Sequence, residues 1–187
     1  MTDRPAKTLL DPALHKDSCG FGLIANLDDL PSHWVIKTAI EALARLTHRG
    51  AVAADGKTGD GCGLLIKFPE SFLRAVGEDC GFVLNKRFAA GTVFLSQDKA
   101  TSDAARAAIT AAIDEHGLDV VGWREVPVEP SACGDQALAT LPKIEQVFVN
   151  APQGMPRGAF NRKLFLARRR AENRVTDLGR TSPFKTS

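Results

Sequence analysis

Cys19 opens the glycine-spaced apolar run CGFGLIANL after a polar, proline-bearing stretch, MTDRPAKTLLDPALHKDS. Two readings of that thiol stand open. In one it is a small buried hydrophobe at the start of a strand. In the other, removal of residues 1–18 makes Cys19 the amino terminus, and its α-amine, with an ordinary pKa of about 8, lies beside its own thiol as a general base. Nucleophile and base then come from one residue. A cysteine-protease arrangement would need a distant histidine, and His33, His48 and His116 carry no local signature for that role.

Arg49 is the second candidate, again with two readings: a solvated cation complementing a helix C-terminus, or a fixed guanidinium that orients a carboxylate. The third is the loop ADGKTGDG, Ala54 to Gly61. Its GKT does not make a phosphate loop, because five residues rather than four separate Gly50 from Gly56 and the segment follows a helix and precedes a strand. It reads as a glycine- and aspartate-rich turn able to wrap a small polar substrate, with Gly59, Asp60 and Gly61 as weak binding candidates.

These residues need elements to hold them. Phe21, Leu23, Ala25 and Leu27 alternate with Gly20, Gly22, Ile24 and Asn26, the period of a strand over 19–27. Ser32 is placed to cap a helix with apolar positions Val35, Ala39, Ala42, Leu43 and Leu46, closed by Gly50 and delivering Thr47, His48 and Arg49 at its end. CGLLIKF (62–68) and TVFLS (92–96) have strand length. SDAARAAITAAIDEHG (102–117) reads as a helix capped by Ser102 and closed by Gly117. DVVGWREV and IEQVFVN are two further strands, and FNRKLFLARRRAEN is a basic amphipathic helix, beyond which 173–187 has neither period nor apolar density.

A chain of 187 residues with a formal charge of +2 is one domain or a piece of one, and that charge is too small to imply a polyanionic partner. The RKLFLARRR charges read as a solvated helix face rather than a nucleic-acid surface. Cys19, Cys62, Cys80 and Cys133 form no CxxC pair and no zinc spacing, so reduced thiols and no metal are expected. Neither an export signal nor a membrane-length apolar run is present, and a cytoplasmic location is the expectation.

Taken together, SCGFGLIANL, SHWVIKTAIEALARLTHRGAVAADGKTGDGCGLLIKFP, VVGWREVPVEP and LPKIEQVFV resemble the start of the glutamine amidotransferase domain of the glutamate synthase large subunit. The likeness runs from Cys19 to about Arg170, and HRGAVAADGKTGDGCG is its most specific part. It implies an α+β fold: an incomplete four-layer αββα sandwich of the N-terminal-nucleophile hydrolase type, with residues 1–18 as a leader, 19–172 as the front part of the domain and 173–187 as an irregular tail. By this resemblance Cys19 is the nucleophile and, once freed, its α-amine the base, while Arg49 orders the glutamine. Ammonia would pass to a synthase domain of the parent chain for glutamate biosynthesis and ammonia assimilation. No cofactor is expected in this segment; FMN and an iron–sulfur cluster belong to the full-length parent, which draws electrons from a reductase small subunit or ferredoxin. The family's Asn-Gly oxyanion pair lies downstream of any residue here, so the expectation is low activity, with an inactive remnant or interaction fragment as the alternative. Cys62, where the family more often has a small apolar residue, is read as a core substitution.

Overall fold

The computed structural model describes residues 20–46, 52–59 and 61–181. They fall into two units, one holding the chain up to Ala53 together with Gly59–Leu65, the other Ala54–Thr58 together with the chain from Ile66 onward.

In the first unit the helix signal holds. Helix α1 spans His33–Ala44, and the Ser32 hydroxyl accepts from the Trp34 N–H, as the capping reading requires. Val35, Ala39, Leu43 and Leu46 are half-buried, whereas Ala42 is exposed. The helix stops at Ala44, and Thr47, His48, Arg49 and Gly50 lie outside the described residues. The strands expected at 19–27 and 62–68 are corrected: residues 20–26 and 61–66 carry no strand pairing. Their alternation supplies a face to bury, but a strand also needs a neighbour for its N–H and C=O groups, and none is present among the described residues. Phe21, Leu23 and Leu27 are accordingly 95%, 87% and 98% exposed. Cys62 is exposed too, so it is no core substitution.

The second unit is built around an antiparallel three-stranded sheet in the order β1-β3-β2, with β1 Phe88–Leu95, β2 Asp119–Glu125 and β3 Lys143–Asn150. Central β3 sends its side chains to two cores, as the two-residue period dictates. Val147 and Val149 join Ile113, Leu118, Ala151, Phe160 and Ala167, under helices α3 (Lys99–Glu115) and α5 (Arg157–Thr181). Phe148, fully buried, meets Phe88 and Leu73 on the other face. Leu73 belongs to helix α2, Glu70–Asp79, which has no counterpart among the expected elements. Gly122 sits at a register shift of β2 beside the Phe82 ring: a Cβ there would lie 2.4 Å from a ring carbon. Phe82 in turn packs on Phe148 at 5.4 Å between centroids.

Helix α3 starts earlier than its sequence suggests. Asp98, not Ser102, is the cap, accepting from the Thr101 N–H at 2.8 Å, and Ser102 is buried within the first turns. Gly117 closes the helix as expected, with a φ of +63°. The Gly117 N–H donates to the Asp114 carbonyl and the Leu118 N–H to that of Ile113, a Schellman closure whose apolar contact is the Ile113–Leu118 pair of the core.

Helix α5 also outruns its pattern. Instead of an irregular tail after Asn173, helix continues to Thr181. Ala171 is buried, Arg174 forms a two-oxygen ion pair with Glu115 of α3 at 2.6 and 2.8 Å, and the Thr176 hydroxyl donates to the Glu172 carbonyl. Tertiary partners, not local period, extend it. The fold is thus α+β with a small antiparallel sheet and helices; a second sheet, as a four-layer sandwich requires, is not among the described residues.

Candidate functional site

The part of the sequence-predicted site that the structure describes is the loop from Val52 to Gly59, followed by Gly61. Val52 and Gly59 form an isolated antiparallel bridge, which closes the loop at its base. Within it Asp55 organises a tight turn. One carboxylate oxygen accepts from the Lys57 N–H at 3.0 Å and the Thr58 N–H at 2.8 Å, and the other accepts from the Thr58 hydroxyl. Gly56 takes the left-handed conformation, φ +70°, that the reversal needs. Aspartate is suited to this because its short side chain bonds to backbone two and three residues on.

Those bonds settle the electrostatics locally. The Thr58 hydroxyl first, then the Thr58 and Lys57 amides and the Gln136 amide, hold the Asp55 carboxyl down to about 2. The donors that would have to cradle a phosphate in a true phosphate loop are therefore occupied by the chain's own carboxylate. This agrees with the rejection of GKT as a nucleotide motif.

A distant segment completes the turn. The 3₁₀ turn Pro130–Ala132 and short helix α4, Asp135–Ala139, flank Gly134, which faces the Asp55 turn. A Cβ on Gly134 would lie 2.3 Å from Asp55 Oδ2 and from Thr58 Oγ1. Sequence reasoning missed Asp55, Thr58 and Gly134. The Asp-Gly pair with a threonine three residues after the aspartate was the available signal for the turn, but nothing local announces its docking on Gly134.

Of the expected site residues, Gly59 is exposed and bridged to Val52, and Gly61 is exposed with open space where a side chain would be. Cys19, Arg49 and Asp60 lie outside the described residues. A groove of about 440 Å³ elsewhere, lined by Asp103, Arg106, Thr110, Asp114 and Trp123 among others, includes neither Gly59 nor Gly61. Its chemistry is structural. Arg106 lies over the Trp123 ring at 5.2 Å and 3.2 Å from a carboxylate oxygen of buried Glu145, whose other oxygen meets Lys143 at 2.8 Å. That bond to Glu145 is the main reason the Lys143 ammonium pKa is raised.

The matching of this chain to known proteins is decided over nearly its whole length. Residues 19–185 match the family model of class II glutamine amidotransferases. The chain belongs to that family. It is also similar to the glutamate synthase [NADPH] large chain of Bacillus subtilis (strain 168), 36% identical over 169 residues, which is 90% of this chain and 11% of that protein. A similar likeness, 36% over 175 residues and 92% of this chain, holds for ferredoxin-dependent glutamate synthase 1, chloroplastic/mitochondrial, of Arabidopsis thaliana, again covering 11% of the relative. The glutamate synthase [NADPH] large chain of Azospirillum brasilense is 37% identical over 167 residues. The chain thus spans about a tenth of the length of these relatives.

The amidotransferase assignment brings no cofactor requirement to this segment. FMN and an iron–sulfur cluster belong to other parts of a glutamate synthase parent; among the described residues no three His, Cys, Asp or Glu side chains group as metal ligands. The described cysteines, Cys62, Cys80 and Cys133, are free thiols. Among the described residues no helix is long and apolar enough to cross a membrane.

Proposed function

We propose that this chain is the front part of a glutaminase domain in which Cys19, freed by removal of residues 1–18, hydrolyses L-glutamine to glutamate and ammonia. The observation that carries the reading is that the family match begins at residue 19, the cysteine itself. The chemistry follows from one residue carrying two groups. The α-amine takes the thiol proton and the thiolate attacks the side-chain amide carbon. The amine then returns the proton to the departing nitrogen, so the C–N bond breaks, ammonia leaves and a glutamyl thioester remains. Water, deprotonated by the same amine, cleaves the thioester, releasing glutamate and restoring the thiol. Arg49 supplies a fixed, planar cation suited to the α-carboxylate of glutamine, and Gly59, Asp60 and Gly61 a loop that lets a polar substrate approach backbone.

In a parent of the glutamate synthase kind, the ammonia would serve glutamate synthesis in a second domain supplied with electrons by a reductase subunit or ferredoxin, in the cytoplasm. The domain division into leader 1–18 and catalytic front part 19–172 belongs to the same reading, as does the four-layer N-terminal-nucleophile sandwich.

A second reading is favoured by a specific observation: Phe21, Leu23 and Leu27 stand exposed on a run patterned as a strand. On that reading the chain is an inactive remnant or interaction fragment, and the run is completed only by further strands. The experiment that separates the two is glutamate release from glutamine by the purified chain with its amino terminus at Cys19, against a Cys19→Ala control. Turnover abolished in the control supports the first reading. No turnover together with no preferential label on Cys19 from a diazoketone analogue of glutamine, in a correctly processed, cooperatively melting chain, supports the second.

A further inference from the structure

Helix α5 has apolar side chains on two opposite faces. Phe160, Leu164, Ala167 and Ala171 recur at three and four residues and turn inward: Phe160 and Ala167 are buried in the core beneath α3 and α5, and Leu164 packs against it. On the other side of the helix, spaced at i, i+3, i+4 and i+7, stand Arg162, Phe165, Leu166 and Arg169, all exposed. Phe165 and Leu166 keep 55% and 45% of their surface in water. A solvated face accounts for the arginines of RKLFLARRR but gives no reason for these two apolar side chains.

The charge around them is one-sided. From Arg157 to Thr176 the only acidic residue of α5 is Glu172, and its carboxylate is already engaged by Arg168 at 3.6 Å and Arg169 at 2.6 Å. Arg170 and Arg174 reach Glu115 of α3 instead. Arg168 also lies over the Phe165 ring, 5.6 Å from its centroid. The formal charge of α5 exceeds the +2 of the whole chain, so the rest of the molecule is net negative and the positive excess is concentrated on this helix.

We infer that the outer face of α5 is a docking surface for an acidic amphipathic helix of another protein, with Phe165 and Leu166 as apolar anchors and Arg162, Arg168 and Arg169 as the rim that pairs with carboxylates. Aromatic and arginine side chains together are the composition of binding hot spots, and the i, i+3, i+4, i+7 spacing presents them to a helix laid along α5. A second copy docked face to face would set Arg162 and Arg169 against their own equivalents. A lipid surface fits less well, because two side chains give little to insert and the other apolar face of α5 is committed to the core. The surface is defined by α5 residues alone and does not depend on glutamine hydrolysis.

The probe is a fluorescent synthetic helical peptide with leucines at i, i+3, i+4 and i+7 and glutamates beside them, titrated with the 187-residue chain and followed by anisotropy. A peptide of the same composition with its leucines scattered round the helix is the control for charge alone. The patterned peptide is expected to bind about tenfold more tightly than the scattered one, and Phe165→Ala and Leu166→Ala should each weaken it about tenfold with the melting temperature unmoved. Arg162→Ala should weaken it about threefold and reduce its salt dependence. Phe94→Ala, at a phenylalanine of β1 that is 68% exposed, should change nothing.

Equal binding of the two peptides, or undiminished binding by Phe165→Ala, overturns the anchored surface and leaves only charge attraction. Binding to vesicles of phosphatidylserine and phosphatidylcholine, or to a double-stranded RNA, with the patterned peptide unbound, overturns the protein partner in favour of a membrane or a nucleic acid. Self-association of the chain that Phe165→Ala abolishes gives the face to a second copy instead.

Discussion

The run FGLIANL near the start of the chain and the strand KIEQVFVN of β3 carry similar alternation, yet one is unpaired and the other is the centre of a sheet. Strand β3 has neighbours on both sides and apolar layers on both faces, so every pleat of it is used. The 21–27 run has the side-chain pattern without the ladder. Alternation thus specifies which face a segment would bury, while the existence of the strand is decided by partners elsewhere in the chain.

The sharpest way to break this comparison is to delete one phenylalanine from each region. Phe148→Ala empties a fully buried position on the central strand and should cost about 3–5 kcal/mol, whereas Phe21→Ala should stay within about 0.5 kcal/mol. Urea melts of the two variants check both. A comparable loss from Phe21→Ala would mean that the early run is packed in solution.

A smaller effect is expected at Gly122, where the Phe82 ring occupies the space of a side chain. Gly122→Ala should cost about 1–3 kcal/mol through overpacking, and pairing it with Phe82→Leu should recover part of that, measured by thermal melting of the single and double variants. Smaller still is the cap of α3. Asp98→Ala should cost about 1 kcal/mol and Ser102→Ala should act through packing instead of capping, with helix content by circular dichroism as the check.

Much of this architecture was legible in the sequence. Ser32 capped its helix, Gly117 closed α3, and β2 and β3 fell where DVVGWREV and IEQVFVN put them, because in each case a local signal and a tertiary need coincide; β1 includes the TVFL of TVFLS but begins earlier, at Phe88. Where they diverge the reading failed. Helix α2 was hidden by Gly77, which is there because the Leu84 side chain lies 2.7 Å from where its Cβ would be. Asp98 displaced Ser102 as cap because a carboxylate three residues before Thr101 reaches its free N–H. Helix α5 passed Asn173 on the strength of Glu115, a residue on another helix. For the candidate site, residue type and motif identified the loop and the family, but the seat on Gly134 depends on a contact between segments far apart in sequence, for which no spacing rule exists.

The least disruptive perturbation of the loop is protonation. The Asp55 carboxyl is lowered from an ordinary 3.8 to about 2, so the contribution of the turn is complete above the ordinary value and is lost as pH falls toward 2. The Thr58 amide resonance should therefore titrate with a midpoint near 2, followed by NMR in acid; a midpoint at the ordinary value would show that the carboxylate is not held by its turn.

The most direct test of the central claim is site-resolved mass spectrometry of the chain, with its amino terminus at Cys19, after reaction with a diazoketone analogue of glutamine. The α-amine gives Cys19 a local base that Cys62, Cys80 and Cys133 lack, so the label is expected on Cys19 ahead of the other three and to be suppressed by excess glutamine. Label spread evenly over all four cysteines, or absent from Cys19, would contradict the assignment of Cys19 as the nucleophile.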